Sequence, residues 1–220
     1  MFSDSITMIR DASPLLLQGA LMTVQLWLVS TLISLSIGTC WGVMRSTQLR
    51  VPWLSRILDI STFILRGVPF YVQLLMAYFV LPELIGINLS ASVAGIITLG
   101  LCSAAYVSQI IRGSINAIPI GQWEAARVLG YTKPAAVRYV ILPQLLRAVL
   151  PACVGELDQL LKSTAIISAI GVLELTGAAK NIIAQEMNPL TMYTTIGCMY
   201  LVLSSILTGV SAALERRIPV

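Results

Sequence analysis

Five charged side chains interrupt stretches of sequence that are otherwise apolar: Asp59 and Arg66 in one, Glu156, Asp158 and Lys162 in another. A charge inside a bilayer is costly, so such residues face a partner or a polar interior rather than lipid. Asp158 and Lys162 stand i, i+4 with the acid first, the favourable order on a helix, and read as a structural ion pair. Glu156, Gln159 and Ser163 stand i, i+3, i+7 and share a different face, one suited to lining a polar cavity. An unpaired Glu156 there suits an ammonium group; its competing assignments are a helix–helix hydrogen bond or an ion pair with Arg66. Arg66 suits a carboxylate, or Asp59 two turns away, or Glu156. Just beyond it, Pro69 has no N–H, so the Leu65 carbonyl loses its helical partner, and Gly67 loosens the chain further. Irregular backbone at membrane depth is tolerated only where it is buried or lines a cavity, and broken helices there are a frequent way to bind zwitterions. Gln73 lies one turn further on. The plainer alternative is a simple proline kink.

Composition limits the rest. The chain has 220 residues, 57% hydrophobic and only 11% charged, and its mean hydropathy is +0.86. Soluble domains carry roughly 25% charged residues, so this is a membrane protein, expected as a single domain over residues 1–220. There is no histidine, which removes Ser/His catalysis, His-ligated zinc and His-based proton relays. Cys40, Cys102, Cys153 and Cys198 are scattered without metal-binding spacing and read as small buried hydrophobes. The N-terminus lacks a basic signal region, and its first apolar run is too long for a signal peptide.

The expected fold is all-α with five transmembrane helices, at about 15–44, 57–81, 91–111, 144–170 and 191–214. Residues 1–14 read as mixed polar, with Ser13-Pro14 as a helix start. Residues 171–188 read as an amphipathic segment between spans. Basic residues cluster on one side (Arg45, Arg50, Arg56, Arg112, Arg127, Lys133, Arg138, Arg147, Arg216, Arg217), leaving Arg10 and Lys180 on the other. That asymmetry places the N-terminus outside and the C-terminus in the cytoplasm, and it makes the net charge of +4 a matter of topology rather than nucleic-acid binding. No internal repeat is evident.

The longest charge-rich stretch runs from Tyr106 to Pro151, and its part at about 118–143 lies between spans. Gly121 to Leu129 is helix-compatible, Gly130 suits a left-handed C-cap, Thr132 suits the next N-cap and Pro143 ends or kinks the second helix. Trp123 is expected to be exposed. Two short helices presenting an apolar face suit a groove on a soluble partner; the alternative is a solvated connector.

This stretch resembles the EAA signature of permease subunits in ATP-binding-cassette (ABC) importers: Glu124-Ala125-Ala126-Arg127-Val128-Leu129-Gly130, then Leu142-Pro143. Leu65-Arg66-Gly67-Val68-Pro69-Phe70-Tyr71-Val72-Gln73-Leu74 is similar to the Arg-Gly-Thr-Pro…Gln-Leu pattern of the polar amino acid importers. Ala105-Tyr106, Arg112-Gly113, Ile118-Pro119 and Leu160-Leu161-Lys162-Ser163-Thr164 resemble further runs of that family. Val68, Gln109 and Ser163 depart from its usual Thr, Glu and Asp. The resemblance covers about residues 15–215.

The resemblance implies a permease of the bacterial inner membrane, not itself an enzyme. Arg66, Gly67, Val68, Pro69, Gln73, Tyr106, Glu156, Gln159, Ser163 and Thr164 would meet a polar amino acid. Trp123, Glu124, Ala125, Ala126, Arg127, Leu129 and Gly130 would couple to an ABC ATPase carrying ATP and Mg. It also implies a second permease subunit, identical or homologous, and an extracytoplasmic binding protein. The chain binds no cofactor or metal in this reading, and has no Gly-rich phosphate loop with Lys of its own. The rivals are an ATP-independent channel or secondary carrier, and an intramembrane hydrolase; for the latter, Lys162 and Ser163 are adjacent and so point from different helix faces.

Overall fold

The computed structural model describes residues 2–215, and the side chains of residues 6–213. All regular structure in them is helical. Helix α1 is Phe2–Arg45, α2 Pro52–Gly67, α3 Phe70–Leu75 and α4 Leu81–Ile85, with a π-helical turn, Met76–Val80, between α3 and α4. Helix α5 is Ala91–Ala117, α6 Ile120–Val128 and α7 Lys133–Ala136. A second π-helical turn, Val137–Ile141, leads into α8, Leu142–Ser163, which tightens into a 3-10 segment, Thr164–Ile170. Helices α9, Leu175–Glu186, and α10, Pro189–Glu215, follow. Arg216 and Arg217 lie outside the described residues.

Four stretches are long and apolar enough to cross a membrane: Ile6–Arg45, Ala91–Ala117, Lys133–Ile170 and Pro189–Ala213. The remaining expected span is a bent pair, Pro52–Gly67 and Phe70–Ile85, meeting at 103°. Counted as one span, it makes five. What the sequence allowed to be a plain kink at Pro69 is a break. The proline is extended (φ −56°, ψ 135°), because its ring fixes φ and its missing N–H cannot continue the ladder.

Three local expectations are corrected. Ser13-Pro14 does not start a helix; both lie inside α1. Pro14 cannot donate to the carbonyl of Arg10, and the Ser13 hydroxyl takes its place, donating to Arg10 O at 2.7 Å. Pro143 does not end the second helix of the central stretch. The helix widens into the π turn just before it, Leu142 N–H bonding back to Val137 O, and the extra residue makes room for the ring. Trp123 is not exposed; it is 9% accessible and belongs to a core cluster. Thr132 has the extended backbone of an N-cap but forms no side-chain capping bond.

The chain forms two compact units, each discontinuous in sequence. One comprises the chain up to Leu32, Val68–Gly100 and Asp158–Gly209; the other comprises Ile33–Gly67, Leu101–Leu157 and the chain from Val210 on.

In the first unit, Leu16, Leu175, Ala179, Ile182, Met192 and Ile196 from α1, α9 and α10 form the core. Glu174, wholly buried, organises its polar part. Its carboxylate accepts from Gly177 N–H at 2.8 Å and Thr176 N–H at 3.0 Å, capping α9. It also accepts from Tyr200 OH at 2.8 Å and from Thr23 Oγ1 at 3.5 Å. One side chain thereby joins three helices. Burial pushes its carboxyl up from the ordinary range, while the donors on Thr176, Tyr200 and Gly177 and the charge of Lys180 pull it down.

In the second unit, α1 and α5 approach closely. A Cβ at Gly38 would come 2.7 Å from the Val107 side chain, and one at Gly42 2.6 Å from that of Ile111. Glycine is what permits this contact. At the end of α1, Arg45 donates to Asp59 at 2.7 Å and to Ser108 at 2.8 Å, and Arg112 reaches the same Asp59 oxygen at 3.1 Å. This cluster ties α1, α2 and α5 together.

Replacing Glu174 by Ala strands buried donors at about 1–3 kcal/mol each. Faster amide exchange at Thr176 and Gly177, with a lower thermal midpoint in detergent, is the expected result. Trp123→Ala should cost about 3–5 kcal/mol by opening a cavity. Trp123→Phe should cost well under half as much, because the indole N–H it removes has no partner; thermal unfolding of the two variants side by side checks this.

Candidate functional site

Within the second unit, one face of α5 gathers a cation and an anion without pairing them. Ser103 and Tyr106 stand i, i+3, about 4.5 Å apart along the axis. The guanidinium of Arg66 lies over the Tyr106 ring, 5.2 Å from its centroid, at a distance that makes the contact favourable. The carboxylate of Glu156 on α8 accepts from Ser103 Oγ at 2.7 Å, and Ser103 in turn receives Ser34 Oγ of α1 at 2.8 Å. Among the described residues, neither Arg66 nor Glu156 forms an ion pair. The alternatives of Arg66 with Asp59 or with Glu156 are not what the structure adopts; Asp59 is taken by Arg45 and Arg112, and Glu156 makes the helix–helix hydrogen bond that was its other assignment, to Ser103 of α5. Arg66 and Gly67 are exposed, Tyr106 is 41% exposed and Glu156 is half-buried.

This arrangement follows from local structure. Arg66 stands at the last turn of α2, where the helix stops before Pro69, so its side chain is released from the ladder of i, i+4 neighbours. Ser103 was not singled out from sequence, yet it is one turn before Tyr106 on the same helix, and that spacing is the signal that could have found it. Gln109, also on α5, has a buried side-chain oxygen with no partner among the described residues.

The remaining expected substrate residues belong to the first unit. Gln73 Nε2 donates to Val68 O at 2.7 Å, and Gln73 N–H to Pro69 O at 3.1 Å. Its amide thus satisfies a carbonyl left open at the break. Gln159 is exposed. Ser163 Oγ donates to Gln159 O at 2.8 Å. Thr164 is fully buried and donates to Leu161 O at 2.6 Å. Asp158 and Lys162 form an ion pair at 2.5 Å, and Ser204 of α10 also donates to Asp158.

The charged segment between spans lies in the second unit. Helix α6 begins after Pro119, whose extended backbone (φ −54°, ψ 136°) precedes the first turn. Trp123 and Ala126, at i, i+3, are its buried face. Trp123 packs in a cluster with Val107, Ile111 and Ile115 of α5 and Ile141, Val149 and Cys153 from the second π turn and α8. Glu124, Ala125, Arg127, Val128 and Leu129 are exposed, Val128 at 87% and Leu129 at 75%. Gly130 terminates the helix at φ +80°, and Tyr131 N–H bonds back to Ala126 O at 3.0 Å, closing the left-handed cap. The outcome is a short helix with an aromatic anchor inward and a mixed apolar and charged surface outward.

The four cysteines are free, and no group of His, Cys, Asp or Glu among the described residues has the geometry to hold a metal ion.

Comparison with known proteins fits these features. Residues 34–220 match the family model described as binding-protein-dependent transport system inner membrane component. The chain is 37% identical over 206 residues to the arginine transport system permease protein ArtQ of Bacillus subtilis, covering 93% of each. It is 32% identical over 220 residues to the histidine/lysine/arginine/ornithine transport system permease protein HisQ of Salmonella typhimurium, covering 96% of each. The crystal structure of an amino acid ABC transporter with histidines superposes with a TM-score of 0.87 at 34% identity, over 96% of this chain and 97% of that one. With the broken second span, the glycine-capped helix and the all-helical architecture already in view, this chain belongs to the family of inner membrane components of binding-protein-dependent transport systems.

Proposed function

We propose that the chain is the permease subunit of an ATP-driven importer for polar amino acids in a bacterial inner membrane. Two such subunits, identical or paired with a homologue, enclose the path. A binding protein delivers the amino acid outside, and an ATPase carrying ATP and Mg docks on the exposed surface of α6 in the cytoplasm. In this reading the N-terminus is outside, and residues of about 118–143 form the coupling segment.

The observation that carries the substrate assignment is the unpaired Arg66 and Glu156, each held by a residue on one face of α5. A zwitterionic amino acid has a carboxylate for the guanidinium and an ammonium for the carboxylate. The exposed Arg66 and the half-buried Glu156 would each gain an oppositely charged partner when substrate arrives, which favours binding over a permanent internal salt bridge. The break after Gly67 places an exposed cation next to a point where the backbone is already irregular, as zwitterion sites in broken helices require.

Coupling rests on the two-faced α6. Movement of a partner against Glu124, Arg127, Val128 and Leu129 is passed through Trp123 to α5 and α8, the helices that carry Tyr106, Ser103 and Glu156. Rigid packed cores transmit displacement instead of absorbing it.

Glu156→Gln should raise KM for amino acid uptake in proteoliposomes by tenfold or more, about 1.4 kcal/mol, while ATP hydrolysis by the complex persists; unchanged KM would count against the zwitterion site. Gly130→Val forces a β-branched residue to φ +80° and should abolish uptake with the chain still inserted. Normal uptake in that variant would instead favour an ATP-independent channel or carrier.

A further inference from the structure

The first unit carries an open groove of about 1050 Å³ between α1 and α10. Its walls include Leu17, Ala20, Met199, Val202 and Leu203. Three threonines also line it, Thr191, Thr194 and Thr195. Two of their hydroxyls are engaged on their own helix: Thr194 Oγ1 donates to Leu190 O and Thr195 Oγ1 to Thr191 O, each at 2.7 Å. One end differs. There Glu186, exposed at the end of α9, and Asn188 form the rim. Asn188 Oδ1 accepts from Thr191 N–H at 3.2 Å, and its amide N–H groups enter no hydrogen bond among the described residues.

We infer that this groove binds a membrane phospholipid with a primary-ammonium headgroup, its acyl chain along α1 and α10 and its headgroup at Glu186 and Asn188. Length supports this. The groove follows α10 from Leu190 to Leu203 and α1 from Met8 to Ala20, about 18–20 Å at 1.5 Å per residue. One leaflet of a core roughly 30 Å thick is about 15 Å deep. Charge supports it too. Among the described residues the only charged side chain lining the groove is Glu186 at one end, which suits an ammonium, while the neighbouring amide can donate to a phosphate or ester oxygen. A second copy of this chain fits less well. Helix association in membranes relies on small residues and hydrogen bonds across the contact. This groove sets long flexible side chains, Met8, Met199, Leu190 and Leu203, beside its small ones, and the Thr194 and Thr195 hydroxyls are already engaged within α10. Unlike the substrate reading, the inference needs only that α1 and α10 face lipid, so it stands or falls separately from transport.

The test uses the intact transporter, with the subunits that co-purify, in lipid nanodiscs containing a trace of phosphatidylethanolamine with a photoactivatable diazirine in one acyl chain. After illumination, adducts are mapped by mass spectrometry. Adducts are expected within residues 8–20 and 190–203, competed several-fold more strongly by unlabelled phosphatidylethanolamine than by phosphatidylcholine, whose headgroup cannot donate a hydrogen bond. Thr195→Trp should remove them by filling the groove. Glu186→Gln should keep the labelling and erase the headgroup preference. Equal competition by both lipids in the unmodified protein would overturn the headgroup assignment. Absence of labelling with efficient Cys198–Cys198 cross-linking between two copies would overturn lipid in favour of a protein contact.

Discussion

Inside a bilayer, a backbone carbonyl that loses its helical partner has no water to turn to, and each such loss costs several kcal/mol. The chain departs from regular α-helix in its membrane segments at a few places only: after Gly67, at Met76–Val80, at Val137–Ile141 and at Thr164–Ile170. At the first of these a side chain takes up the deficit, the Gln73 amide reaching Val68 O. Two others keep the ladder unbroken by changing its pitch, to π turns that insert one residue each. At Pro14, a hydroxyl one residue away suffices and the helix does not break at all. Pro14, Pro69 and Pro143 thus have three different outcomes, according to whether a donor or an extra residue is at hand.

The break after Gly67 is where structure and chemistry meet. It ends α2 at Gly67, with Arg66 in the last turn lying over Tyr106. Helix α5 then acts as the shared support of the second unit. Its Ser103 holds Glu156, its Tyr106 faces Arg66, and its Ile111 and Ile115 receive Trp123 from α6. The proposed binding charges and the proposed docking helix therefore rest on a single helix, itself drawn against α1 by Gly38 and Gly42. A helix so packed moves as a body, which is the property coupling needs.

Three acids outside the proposed binding site are absorbed into structure. Asp59 is shared by two arginines, Asp158 by Lys162 and Ser204, and Glu174 by four donors from three helices. Arg66 and Glu156 contrast with these, since each has a partner of modest strength, an aromatic face and a hydroxyl. In a medium where unpaired charge is expensive, that contrast sets the two proposed binding charges apart from residues that hold helices together.

Much of this was legible in the chain alone. Low charge and long apolar runs determine membrane helices, since nothing else satisfies the backbone there. Gly130 and its flanking residues determine a capped helix because only glycine tolerates φ near +80° cheaply. The i, i+4 order of Asp158 and Lys162 suggests their pairing, because helical spacing is local. Other features depended on contacts between segments far apart in sequence. Trp123 reads as exposed in a polar stretch, and only the cluster with Val107, Ile141 and Cys153 buries it. Asp59 reads on paper as a possible partner of Arg66, and the close approach of α1 and α5 gives it to Arg45 and Arg112 instead. Glu174 looks like one acid in a weak amphipathic segment; its role as the link between α1, α9 and α10 arises from donors at residues 23 and 200. Periodicity and capping are written within a few residues of chain, whereas the partner of a buried polar group is chosen by packing, and packing was decided only when the helices came together.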